Sequence, residues 1–170
     1  MIRRNRPTNS LRRFGQRNDG AAASEFAIML PLLVILLFAG VEIGRVLHDY
    51  HTVSKSVRDA GRYAARWHFA CPDTVYTNPD VVTHTRNLAL TGRVSGDGDY
   101  LLALWKEPES VTVTLTCTDN GGWEGLYSET QVRSVNVRAE VPFEFLFASL
   151  LGLPGTLTLT LEHTQPHVGE

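Results

Sequence analysis

The chain has 170 residues, a formal net charge of −2 and a 43% share of hydrophobic residues. That length holds one modest domain plus a membrane segment and excludes two full cores. The near-neutral total hides an asymmetry. Of 16 Lys/Arg and 18 Asp/Glu, the first twenty residues take six arginines and a single acid, Asp19, leaving ten basic against seventeen acidic residues.

Met1 to Asp19 (MIRRNRPTNSLRRFGQRND) has few apolar residues, a proline and no periodicity, so it reads as a disordered cationic leader. An Arg-rich arm is one way to hold nucleic acid. This one instead leads directly into an apolar run, where Lys and Arg act as an orientation signal by staying on the cytoplasmic side. No nucleic-acid partner is expected.

Gly20 to Ser24 is a stretch of small residues, and Phe26 to Val41 follows with sixteen residues and no charge. Together they approach the ~20 residues needed to span a bilayer, beyond the ~7–15 of a secretory signal, so a retained anchor is expected. Pro31 would break a soluble helix but is tolerated as a kink early in a membrane helix. Gly40 and Gly44 share one helical face at small-xxx-small spacing, where a second helix can approach. Glu42 and Arg45, three apart, are placed to pair on the helix surface.

From Val46 the helix is expected to continue to about His68. Val46, Tyr50, Val53, Val57, Ala60, Ala64 and Trp67 recur every three or four positions as one apolar stripe. Arg45, Asp49, Thr52, Lys55, Ser56, Asp59, Arg62 and Arg66 cover the other side. Cys71-Pro72-Asp73 stops the helix. Asn78-Pro79-Asp80 opens a short second helix through about Leu90, ended by Gly92.

Three segments then alternate with period two: Val111 to Thr118, Val132 to Phe143 and Thr156 to Glu162. Half-polar alternation predicts antiparallel strands with one wet face, and the helical stripe supplies the cover for the other. A Gly-rich loop, Asp119 to Thr130, joins the first two strands. Phe143 to Leu153 is strongly apolar and reads either as a short core helix or as a surface patch for a partner. The fold class is therefore α+β. A long membrane-spanning helix continues into an amphipathic half packed on a small antiparallel sheet. The expected divisions are a leader at 1–20, a transmembrane helix at 21–44, an amphipathic extension at 45–70 and an exoplasmic α+β domain at 71–170.

Cys71 and Cys117 both follow the apolar run, so a cytoplasmic leader puts them where disulfides form. Either they bridge, closing a loop of about 47 residues worth roughly 4 kcal/mol, or they are two unpaired thiols. His48 with His51 and His163 with His167 have metal-like spacings, but no third ligand accompanies either pair. No nucleophile elbow, P-loop or GxGxxG occurs. No catalytic residue, metal or cofactor is expected, and the chain reads as non-enzymatic.

What remains is Glu25, an ionisable group at the mouth of the apolar run, where such residues carry function. Glycine followed five residues later by Glu25-Phe26 and then continuous hydrocarbon has a mechanical reading as a prepilin processing site. Gly20 offers no side chain, so a membrane peptidase can grip the backbone beside the Gly20–Ala21 bond. Cleavage strips the leader and creates an ammonium on Ala21. Glu25 can neutralise that ammonium, its own or a neighbour's, during assembly.

Gly20-Ala-Ala-Ala-Ser-Glu25-Phe26, Leu30-Pro31-Leu32-Leu33, Glu42-Ile-Gly44-Arg45 and Arg58-Asp-Ala-Gly-Arg62-Tyr-Ala-Ala-Arg66 together resemble the TadE-like family. These are pseudopilins or minor pilins of tight-adherence (Flp, type IVb-like) pilus systems. The resemblance covers about a quarter of the chain. It implies cleavage after Gly20 by a prepilin peptidase, membrane residence, pilin-like partners along the N-terminal helix, and a role in pilus assembly or a related secretion machine. Phe26 stands where major Flp pilins often carry Tyr, and the domain after Cys71 is far larger than a Flp pilin's. Both departures favour a minor component. The competing reading is an uncleaved single-pass anchor for an extracellular binding module, in which the helix is only a tether.

Overall fold

A computed structural model describes residues 19–71, 75–121, 131–148, 152 and 155–167. It contains helix α1 (Asp19–Ala64), helix α2 (Asp80–Thr91), a 3-10 turn at Pro108–Ser110, and strands β1 (Val111–Asp119), β2 (Gln131–Glu144) and β3 (Thr156–Pro166). The strands form one antiparallel sheet in the order β1-β2-β3. The architecture is α+β. The chain divides into two units, Met1–Val41 and Glu42–Glu170. The leader before Asp19 and the loop 122–130 lie outside the described residues.

In the first unit the described chain is helix. It is built from residues of high helical propensity, and Pro31 is tolerated within it. Proline has no N–H to give the carbonyl of Ala27, a loss that a membrane helix absorbs more readily than a soluble one.

In the second unit, Val53, Val57, Ala60 and Ala64 of α1 and Val135, Val137, Ala139 and Val141 of β2 are all at most 1% exposed and form the centre of the core. Small and β-branched side chains on both layers let the helix lie close to the sheet. A Cβ at Gly61 would stand 3.4 Å from Cδ2 of His163 and 3.9 Å from Cγ2 of Val137. Gly61 therefore marks a close approach of helix and sheet. Trp105 is fully buried, and its indole N–H donates to Ser110 Oγ at 2.8 Å.

The strands follow the expected alternation. Val111, Val113, Leu115 and Cys117 turn inward on β1 while the threonines face out, and β2 buries every second residue from Val135 to Phe143. Register pairs Val113 with Val137 and Val137 with His163. Helix α2 begins at Asp80, whose N–H donates to Asn78 Oδ1 at 2.9 Å. It ends on Gly92, whose φ of +73° permits the left-handed cap that lets its N–H reach the Leu88 carbonyl. Cys71 and Cys117 are joined by a disulfide, with Cα atoms 6.1 Å apart.

Four expectations are corrected. Helix α1 stops at Ala64 rather than near His68, because Phe69 enters the core and bridges to Tyr76 while Thr77 N–H donates to the His68 carbonyl. The apolar stripe is incompletely covered, with Tyr50 46% and Trp67 37% exposed while Val46 is half-buried. Ser56, assigned to the polar side, is buried and donates its hydroxyl to the Val53 carbonyl at 3.0 Å. Finally, no helix occupies the described part of Phe143 to Leu153. Phe143 and Glu144 complete β2, the Phe143 ring lies 5.1 Å from that of Phe145, and residues 146–148 form a turn. The Phe145 N–H donates to the Gly155 carbonyl at 2.8 Å, extending the hairpin instead. Positions 149–151 and 153 lie outside the described residues.

Candidate assembly helix

The residues singled out in the sequence fall on α1 in two groups, one in each unit. In the first unit Gly20, Ala21, Glu25, Phe26 and Pro31 are all exposed. The Ser24 hydroxyl donates to the Ala21 carbonyl at 2.8 Å, tying down the first turn beside the Gly20–Ala21 bond. Among the described residues no side chain pairs with Glu25. A Cβ on Gly20 would meet nothing within 4 Å, and the same holds at Gly40 in this unit and Gly44 in the next. The apolar side chains from Phe26 to Leu37 that are exposed range from 41% to 79%. They belong to the helix from Gly20 to Ala64, which is long and apolar enough to cross a membrane. A helix that is apolar all round and uncovered calls for a solvent of hydrocarbon or other helices.

The second group, Glu42, Arg45, Arg58, Asp59, Gly61 and Arg62, belongs to the folded unit. Glu42 and Arg45 pair as expected at 3.1 Å, but not on the surface, because Glu42 is only 8% exposed. Its second oxygen, Oε1, accepts the Phe147 backbone N–H at 3.0 Å across 105 positions of sequence. Arg45 places its guanidinium carbon 5.2 Å from the centre of the Phe143 ring and Nη1 3.5 Å from the Glu144 carbonyl. A buried carboxylate is tolerable only when paired and hydrogen-bonded, and Glu42 is both. The pair therefore clamps the turn after β2 onto α1. Sequence reasoning found the pair but not the clamp, since nothing in the spacing marks a partner so far along the chain.

Farther along, Arg58 lines a cleft of about 260 Å³ with Tyr50, Ser54 and Val57 of α1 and Thr160 to His163 of β3. His48 and His51 are exposed. His163 faces Gln165, with Nε2 3.2 Å from Oε1. Arg133 stands by the end of α1, donating to the Phe69 carbonyl at 3.2 Å and lying 3.3 Å from Nδ1 of His68. Tyr76 is buried against Phe69 with no hydrogen-bond partner for its hydroxyl among the described residues, and burial pushes the phenol well above its ordinary value.

The geometry thus separates a bare apolar helix, headed by an exposed carboxylate, from a clamped and packed one. A family model described as TadE-like protein matches residues 20–62, a stretch that contains both groups. No curated protein and no solved structure matches the chain.

Proposed function

We propose that this chain, through its TadE-like segment, is a non-enzymatic pseudopilin or minor pilin that takes part in assembling a tight-adherence pilus or a related secretion machine. The observation that carries the proposal is the uncovered apolar surface of α1 from Phe26 to Leu37, with Glu25 at its head and a folded α+β unit after it. Lipid covers such a surface before assembly, and neighbouring pilin-like helices cover it afterwards.

In this reading the Arg-rich leader stays cytoplasmic, and residues 21–44 span the membrane once. The domain lies on the exoplasmic side, where the Cys71–Cys117 disulfide is chemically at home. A prepilin peptidase cuts between Gly20 and Ala21, where the bare Gly20 backbone leaves room for it. The new Ala21 ammonium lies four positions, one helical turn, before Glu25. A carboxylate moved into a helical bundle is strongly disfavoured alone and tolerated when paired. Glu25 therefore favours the docked register in which it meets an ammonium, its own or a neighbour's. Gly40 and Gly44 offer the close-packing positions farther along.

The test is Glu25→Ala in cells that assemble the pilus. Membrane insertion is expected to persist, while incorporation into the assembly falls. Unchanged pilus formation and unchanged incorporation would overturn the role of Glu25 and leave the helix as a tether for an anchored binding module.

A further inference from the structure

The pilin-like reading leaves unexplained why one end of the folded unit exposes so much hydrocarbon. Within that unit α1 runs antiparallel to β2. Glu42 meets Phe147, Arg45 meets Phe143, and Gly61 lies against Val137. The turn after β2 is therefore clamped to the residues that directly follow the apolar run in sequence. Around it Ile43 is 60%, Leu47 52%, Leu146 60% and Leu157 43% exposed. Leu157 belongs to this end because it pairs with Phe143 across the β2–β3 ladder. The other end of the unit exposes Arg66, His68 and Asp119 alongside Trp67 and Val75, so its apolar residues stand among charged and polar ones.

We propose that the β2–β3 turn is a membrane-interface foot. Leu146 and Leu157, together with Ile43 and Leu47 of α1, rest in the headgroup–acyl boundary of the bilayer that takes the apolar run. The occupant is lipid because the exposed hydrocarbon of this unit begins on the residues that directly follow the apolar run in sequence, with Ile43 at 60% and Leu47 at 52%. It then passes from the helix onto the turn through the Glu42–Phe147 hydrogen bond.

The clamp suits that location. A backbone N–H held at an apolar boundary needs an internal acceptor, and the buried Glu42 carboxylate supplies one for Phe147. Arg45 pairs with that carboxylate at 3.1 Å while its guanidinium carbon lies over the Phe143 ring, a cation held where hydrocarbon meets water. The foot fixes the depth at which the domain stands on the membrane and restrains it before other subunits are recruited. This inference rests on the membrane anchoring proposed above.

The experiment uses the full chain, its native disulfide left oxidised, in phosphatidylcholine–phosphatidylglycerol vesicles at high lipid excess. One added cysteine carries an environment-sensitive fluorophore, in Leu146→Cys, Leu157→Cys or Arg66→Cys. Nitroxide groups are attached to the lipids either at the headgroup or along the chain. Flotation of the vesicles reports anchoring, and fluorescence reports the foot. The expected result is blue-shifted emission quenched by lipid nitroxides at positions 146 and 157, and no quenching at 66. Glu42→Ala, with the chain still floating, is expected to lose the quenching at 146. A chain that floats while 146 and 157 remain water-exposed overturns the foot and leaves anchoring intact. Blue-shifted emission that appears only as protein density rises, without lipid quenching, assigns the patch to another subunit and also overturns the foot. A chain that does not float overturns both readings.

Discussion

The two stretches of α1, Gly20 to Val41 and Val53 to Ala64, are both rich in aliphatic residues, and their surroundings are opposite. In the first, leucines and isoleucines point outward on every side. In the second, Val53, Val57, Ala60 and Ala64 are sealed against β2. What differs is side-chain size and the spacing of polar residues. The first stretch has no polar face to turn to water, so no single sheet can cover it. The second alternates small apolar residues with Lys55, Arg58, Asp59 and Arg62, which leaves one narrow face that a sheet can cover. One continuous helix thus makes two demands. The sheet of its own chain meets one, and in our account the membrane and its sister helices meet the other.

Substitutions in each stretch, followed by unfolding of the full chain in detergent, put that contrast to the test. The largest effect is expected from Cys71→Ser with Cys117→Ser. Loss of the bridge should destabilise the folded unit by about 4 kcal/mol in the chain-entropy picture while membrane partitioning stays the same. A midpoint that does not move would mean the loop is held by packing alone. Glu42→Ala leaves the Phe147 N–H without its charged acceptor and Arg45 without its partner, at about 1.5–3 kcal/mol in denaturant titration. Ala60→Leu forces extra carbon into a fully buried site and should cost about 1–3 kcal/mol.

Tyr76 gives a pH handle on the same core. Burial raises its phenol in the folded state, so the unfolded chain releases the proton first. Stability contributed by the neutral phenol is complete below the ordinary tyrosine value of about 10 and falls above it, by about 1.4 kcal/mol per pH unit. Tyr76→Phe should flatten that alkaline limb in a pH series of melts, and an unchanged limb would assign it to another group. The smallest effect belongs to the apolar stretch. Leu33→Ala, at a side chain 52% exposed, should change the stability of the folded unit by less than about 0.5 kcal/mol. A larger loss would mean that the apolar stretch is part of the domain's core.

Local periodicity made most of the fold legible in advance. The stripe at Val53, Val57, Ala60 and Ala64 and the Val/Thr alternation of β1 each repeat with the period of their own element, and the apolar run declares itself by its length. The cysteine bridge was one of two open alternatives, because sequence does not show which residues approach. What stayed hidden depends on distant contacts. The buried Glu42 carboxylate takes its backbone partner, Phe147, from 105 positions away, whereas the buried Ser56 hydroxyl is satisfied locally by the Val53 carbonyl, a bond that sequence pattern does not announce. Phe143 to Leu153 read as a helix candidate because a short apolar run has no clear period, and the ladder to Gly155 decides it for the hairpin. Gly61 did leave a sign. A glycine inside a helix costs ~1 kcal/mol relative to alanine, and between Ala60 and Ala64 it marks the place where the helix must come close to the sheet. On the candidate site, the sequence alone singled out Gly20 and Glu25, since a lone carboxylate heading hydrocarbon stands out without any fold.

The most direct test of the account is the mass of the mature N-terminus, measured on protein purified from the membranes of cells with working pili. A chain beginning at Ala21, without the six leader arginines, is the predicted result. A chain still carrying residues before Ala21 in those cells would contradict it and reduce α1 to a plain anchor.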